Sequence, residues 1–309
     1  MKRIKQIKKI KQDFGIYFLL VSILTTLFNK SSNKVGHKLH HYKYKLVTRY
    51  LQDNYQDVIK KYSNKKGANS NRLISESNYV WICWWQGIDQ APEIVKACIN
   101  RIKKIYCDKN VVVINKNNYD KYVDIPNEVL NKVNRKIFSL TFLSDILRFS
   151  LLAKYGGIWI DSTVYVEKRM YDYEKSHFFT IKHGKYSDWH VCQGKWTGFL
   201  MASGKGNPGI QLIKDILIRY AMEENTLMAY LLVDSAITVA YNNVIEFHTE
   251  VDEVLPNNQE VFSMEKELNS TLPNYQVPSV FNKLSYKYVY KKKIDGKKTV
   301  YERILENQV

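Results

Sequence analysis

The sequence predicts an α/β protein in which a largely parallel sheet is flanked by helices and preceded by a basic helical leader. Three observations carry this. Apolar runs of strand length alternate with helical stretches between residues 79 and 160. An uncharged segment at 14–28 lies between basic flanks, and the excess charge sits at the two ends of the chain. Lys and Arg number 47 against 30 Asp and Glu, a formal net charge of +17. Residues 1–49 account for +11 and residues 281–309 for +5, which leaves +1 for the 231 residues between them. With 45% apolar residues, 13 Gly and 6 Pro in 309 positions, the composition excludes a disordered or collagen-like chain, and the length supports a substantial core.

Taken in order, the leader comes first. As a helix, residues 14–28 span roughly 22 Å, short of the roughly 30 Å of a bilayer core. No small-residue cleavage site follows. Basic flanks on both sides suit a helix lying in the headgroup region of an anionic membrane, in preference to a core helix or a short span. Residues 42–61 are expected to be helical, and the Ser/Asn/Lys/Gly-rich run 63–72 reads as a linker, so three segments follow: a leader (1–72), a globular domain (73–280) and a basic tail (281–309) that closes on the site.

Within the domain, 79–85 and 111–114 read as strands around a helix at 91–106, with short helical pieces near Tyr119 and Val129. A long helix over 139–155 then meets a strand at 158–160; 178–181 and 196–203 read as strands, 208–222 and 227–241 as helices. Cys83, Cys98, Cys107 and Cys192 have no metal-binding spacing and read as buried small hydrophobes in a reducing compartment.

The chemistry concentrates in 141–163. At about 100° per residue, Thr141, Ser144, Asp145 and Arg148 share an arc of roughly 100° on an otherwise apolar helix. Polar groups gathered on one side of a buried helix require partners. Gly156-Gly157 stops the helix, and a three-residue strand delivers Asp161 at its C-terminal end, the edge where open α/β sheets bind ligands. An ion pair between Asp145 and Arg148 with Asp161 capping a turn is the plainer alternative. Asp234, inside the apolar run 230–238, is either satisfied internally or faces an acceptor; Trp196-Thr-Gly198 is a further candidate lining, and Gly204-Lys-Gly-Asn-Pro208 reads as a turn before a helix.

These residues carry a resemblance. Trp81-Ile-Cys-Trp-Trp-Gln-Gly87, Ala91-Pro-Glu93, Asp124-Ile-Pro126, Ser144-Asp-Ile-Leu-Arg148, Tyr155-Gly-Gly-Ile-Trp-Ile-Asp161 and Asn282-Lys-Leu-Ser-Tyr-Lys287 together resemble the bacterial capsular polysaccharide synthesis proteins. These are relatives of the DXD-containing sugar transferases, which include the clostridial glucosylating toxins and the yeast mannosyltransferase group. The resemblance implies a GT-A, Rossmann-like fold and a nucleotide-diphosphate sugar donor, with a UDP-sugar favoured, and manganese or magnesium as cofactor. It assigns Asp145 and Arg148 to the donor sugar, Asp161 to the first position of the DXD-type motif and to the metal, and Trp84 or Trp85 to the base. Gln86, Asn118, Ser144, Thr163, Asn282 and Lys283 complete the expected donor site. Thr163 stands where many relatives have the second carboxylate; Asp161 alone could hold magnesium, or Lys283 or Lys287 could neutralise the diphosphate.

The expected function is transfer of a sugar from a nucleotide donor to a growing capsular or lipid-linked glycan, at the cytoplasmic face of a bacterial membrane bound peripherally through residues 1–49. An inactive scaffold with a transferase fold is one alternative. A nucleic-acid-binding protein is another, and it is disfavoured because the folded middle carries so little net charge.

Overall fold

The computed structural model describes residues 2–28, 34–63, 72–184 and 189–307; residues 64–71 of the expected linker lie outside them. Elements run α1 (Lys2–Leu27), α2 (Lys34–Asn54), α3 (Gln56–Ser63), β1 (Tyr79–Cys83), α4 (Glu93–Ile105), β2 (Asn110–Ile114), α5 (Asn127–Asn134), α6 (Leu140–Tyr155), β3 (Gly157–Ile160), β4 (Val164–Val166) and β5 (Phe178–Thr180). They continue with β6 (Leu200–Ser203), α7 (Pro208–Glu223), α8 (Leu232–Asn243), α9 (Ile245–Glu253), α10 (Ser263–Lys266), β7 (Phe281–Lys283), β8 (Lys293–Ile294), β9 (Lys297–Lys298) and α11 (Val300–Leu305).

The central sheet has the order β2-β1-β3-β6-β5. β2, β1 and β3 are parallel, and β6 and β5 extend them antiparallel. β3 is buried at every position, and its neighbour β1 is buried at its three central residues, hence their near-continuous apolar sequences. α6 lies against β1 and β3 and backs on α7, which packs on α8; α4 packs against β4 and α11. Ser139 caps α6 by accepting from Phe142 N at 3.1 Å, and Asn207 caps α7 ahead of Pro208. The motif at 204–208 is therefore a helix entry, as its composition suggests.

The step from α6 to β3 depends on two glycines. Gly156 and Gly157 have φ of 68° and 95°, and a Cβ on Gly157 would lie 2.4 Å from the Tyr79 carbonyl oxygen. Only glycine allows the chain to leave the helix, turn left-handed and pair with β1 within two residues. The Trp81 indole seals this corner, donating to Gly156 O at 2.9 Å.

Several elements differ from the sequence expectation. The helix expected at 42–61 begins at Lys34 and breaks at the buried Tyr55 into α2 and α3. The first strand ends at Cys83, opposite the last residue of β2, so Trp84 and Trp85 leave the sheet in a turn closed by Gly87 N on Trp84 O. Residues 196–199 precede β6 as cavity wall, and α8 begins at Leu232. Against the expectation of four buried cysteines, Cys107 is exposed and Cys83 is half-buried in the cavity wall, while Cys98 and Cys192 are buried. β4 and β7 pair antiparallel, in a two-stranded ladder that joins the tail to the domain.

In the leader, Gly15 adopts φ 81° and divides α1 into a basic first half and an apolar second half. Phe18, Leu19, Val21 and Thr25 are buried, and α1 packs against α2. Ile16, Tyr17, Leu20, Ile23, Leu24 and Leu27 are exposed at helical spacing. This half of α1 is thus apolar on its exposed side as well as its buried one, unlike the one-sided helix of a soluble protein.

Candidate functional site

A cavity of about 770 Å³ opens at the C-terminal edge of β1 and β3. Its walls come from the turn after β1, one face of α6, the residues after β3, the segments 190–192 and 196–199, the start of α8, and the tail at 283–288. Among the expected site residues Trp84, Trp85, Gln86, Ser144, Asp145, Arg148, Asp161, Thr163 and Lys283 line it, as do Trp196, Gly198, Asp234 and Lys287.

Its centre is a chain of alternating charge. Arg148 Nη1 donates to Asp145 Oδ1 at 2.7 Å, one turn back on α6, and Arg148 Nη2 lies 3.4 Å from Asp161 Oδ1. Trp159 Nε1 also donates to Asp161 Oδ1, at 2.9 Å. On the far side Lys283 Nζ donates to Asp161 Oδ2 at 2.9 Å and to Thr163 Oγ1 at 2.6 Å. The guanidinium sits 5.0 Å above the Trp159 ring, which fixes its plane. The i,i+3 ion pair expected as a plain alternative is thus present, and the same pair forms part of the cavity wall.

The environments set the carboxylates apart. Burial pushes the Asp145 carboxyl up to about 6, with Arg148 opposing. Burial raises Asp161 too, but Lys283 and Arg148, helped by the Trp159 hydrogen bond, outweigh it and hold that carboxyl below the ordinary value. Asp234 accepts from Trp196 Nε1 at 2.9 Å, and burial brings it to about 6 against the pull of that bond and of Arg148.

A pH dependence follows for Asp234. An acid whose pKa is raised by folding binds its proton more tightly folded than unfolded, so stability falls as pH rises from about 4 to about 6. Asp234→Asn removes the charge and keeps an acceptor for the Trp196 indole. The variant should melt above the wild type near pH 8, by an amount on the order of 1–2 kcal/mol, and the two should converge near pH 4. A lower melting temperature near pH 8 would show that the carboxylate is net stabilising.

At the other end, the Trp84 ring stands edge-on to Tyr286 from the tail, with centroids 5.3 Å apart and planes at 87°. Trp84 Nε1 is buried without a hydrogen-bond partner. Trp85 leans on Tyr119 at 5.4 Å.

Two expected donor-site residues lie elsewhere. Asn118 does not line the cavity: its Oδ1 accepts from Asn115 N and its Nδ2 donates to Val113 O, so the amide holds the turn after β2. Asn282 is wholly buried in the β4–β7 ladder and donates to Ser279 O at 2.6 Å. Residues not foreseen in the lining include Trp159, Phe199, Tyr230, Phe262 and Tyr286. Trp159 lies in an apolar triplet that reads as plain strand core, and the others are brought in from distant sequence.

The donor set makes a poor cradle for a divalent cation. Magnesium takes near-octahedral oxygen coordination, usually with one or two carboxylates. Here the carboxylate assigned to the metal is Asp161, and both its oxygens already accept from nitrogen donors. No group of three or more His, Cys, Asp or Glu is placed to hold a metal ion among the described residues.

Fold and site together define an α/β protein with a polar, charge-lined cavity at the C-terminal edge of its sheet, the edge at which open α/β sheets bind ligands. The chain belongs to the capsular polysaccharide synthesis protein family, whose model matches residues 26–304. Among solved structures, one similar chain is described as PaToxG Glycosyltransferase, with 14% identity over 68% of this chain and 82% of that chain and a TM-score of 0.38. No curated protein sequence matches the chain.

Proposed function

We propose that the protein is a glycosyltransferase of GT-A type, moving a sugar from a nucleoside-diphosphate donor, UDP-sugar in the favoured case, to a hydroxyl of a growing surface glycan. The observation that carries this reading is the alternation Asp145–Arg148–Asp161–Lys283 along one wall, with the Trp84–Tyr286 pair beside it. Paired carboxylates and cations suit sugar hydroxyls and a diphosphate, and an aromatic slot suits a nucleobase.

In the reaction, the bond between the anomeric carbon and the diphosphate oxygen breaks, with its electron pair leaving on the diphosphate. The acceptor oxygen forms the new bond and gives up its proton. Arg148 and Lys283 are the cavity's fixed positive charges nearest Asp161 and face the charge that develops on the leaving group. Asp234, across the cavity on α8 with a carboxyl poised near neutrality, is the group assigned to take the acceptor's proton.

The test is a panel of UDP-, GDP- and other nucleotide sugars, read as nucleoside diphosphate released. One donor should be turned over well above the rest, and the rate should rise with pH through about 6 as Asp145 and Asp234 ionise. No release from any donor, with or without a glycan acceptor, would favour the inactive scaffold.

The leader supports a peripheral location on the cytoplasmic face of the membrane. Ile16, Tyr17, Leu20, Ile23, Leu24 and Leu27 face outward, and residues 1–49 carry +11. α2 packs against α8, and the hydroxyl of Tyr44 on α2 accepts from Leu231 N at the cavity rim. Through α2, on which it packs, the membrane-facing α1 is joined to the side of the cavity assigned to the acceptor, which suits a lipid-linked glycan.

A further inference from the structure

The geometry points to Lys283, in place of a divalent cation, as the group that meets the donor's diphosphate; this rests on the transferase reading above. Lys283 does not hang from a loose tail. Its backbone is registered against Val164 in the β4–β7 ladder, and its N–H donates to Val261 O at 2.7 Å. Its ammonium is fixed from three directions, by Asp161 Oδ2 at 2.9 Å, by Thr163 Oγ1 at 2.6 Å and by the Phe199 ring at 5.4 Å. An ammonium has three donors. Asp161 and Thr163 take two of them, and one remains for a ligand in the cavity that Lys283 lines.

The neighbouring residues fit a fixed ammonium better than a metal. A cation entering beside Asp161 Oδ2 would meet a positive charge already 2.9 Å from that oxygen, and the repulsion between the two would be strong at the low effective dielectric of a partly buried site. The other oxygen is held by Trp159 and Arg148. At position 163 a hydroxyl accepts from the ammonium without adding charge. A second carboxylate there would compete with the diphosphate for Lys283, whereas Thr163 orients the lysine and leaves its charge for the ligand. Lys287 lines the same cavity and adds to the positive field around the phosphates.

The test is calorimetric titration of the full-length protein with UDP and, separately, GDP, in excess EDTA and again with added manganese chloride. One nucleoside diphosphate should bind in EDTA with an affinity within about two-fold of that in manganese. Lys283→Met should weaken that binding on the order of 10–100-fold in both conditions, and Lys283→Arg should recover most of it. Binding that strengthens more than about ten-fold on adding manganese would overturn the assignment to Lys283 while leaving the transferase reading standing. Unchanged affinity in a folded Lys283→Met variant would overturn it equally. Should that variant fail to fold, the comparison of EDTA with manganese on the wild type decides alone. Absence of binding by either nucleotide in both conditions would overturn the assignment to Lys283 for uridine and guanosine diphosphates, while the transferase reading would stand or fall on the donor panel.

Discussion

Replacing Asp161 with alanine should lower sugar transfer by about three orders of magnitude or more, equivalent to about 4 kcal/mol of transition-state stabilisation. The carboxylate joins the two cations of the site: Arg148 lies 3.4 Å from one oxygen and Lys283 2.9 Å from the other. Without it each cation is held on one side only, and the spacing proposed to meet the leaving group is lost. The fold should survive, because Arg148 retains Asp145 at 2.7 Å and Lys283 retains Thr163 at 2.6 Å. With the Asp161 side chain 28% exposed, the stability cost is expected at about 1–3 kcal/mol, below that of breaking a fully buried pair. Nucleotide release and a thermal melt on the same preparation check both parts. Transfer at the wild-type rate would remove Asp161 from the chemistry.

Changing Leu20, Leu24 and Leu27 together to glutamate should abolish binding to anionic vesicles while leaving the melting temperature nearly unchanged. The three side chains are 51%, 41% and 71% exposed, so the folded chain loses little packing. A membrane would lose far more. Each leucine fully transferred from water contributes roughly 1.5–3 kcal/mol, and three acids would oppose anionic headgroups, so the affinity should fall more than about 100-fold. Cosedimentation with phosphatidylglycerol vesicles measures it. Undiminished binding would move the membrane contact away from the exposed face of α1.

Much of the site was legible in the sequence because its central residues are close in sequence. Asp145 and Arg148 are one helical turn apart, and a single Gly-Gly stop and one short strand carry the chain from Arg148 to Asp161. Geometry of that kind follows from helix pitch and glycine stereochemistry. The remaining walls depend on contacts between residues far apart in the chain, Trp196 with Asp234, Asp161 with Lys283 and Trp84 with Tyr286, and local periodicity does not encode these. β4 and β7 have three residues each, too few for an alternating pattern, so the ladder that registers Lys283 had no signature of its own. Asn118 misled for a related reason: an asparagine after a strand serves a ligand or its own turn with the same side chain, and here the backbone took it. In the leader, hydropathy located the apolar segment but not which side of the helix would remain uncovered.

The β4–β7 ladder also fixes an order of assembly. Asp161 and Thr163 are synthesised about 120 residues before the lysine that joins them. Closing so long a loop carries an entropic cost that local helices do not bear, and it comes on top of the 78-residue closure already made when Val80 of β1 pairs with Ile158 of β3. The aspartates and Arg148 can therefore settle early, on elements whose contacts are mostly nearer in sequence, while the cavity gains Lys283 and Tyr286 only when Phe281–Lys283 docks on Val164–Val166. A nascent chain that ends before β7 would hold both aspartates and their arginine but lack the lysine and one ring of the aromatic slot. The complete cavity wall is thus withheld until translation has passed the last strand of that ladder.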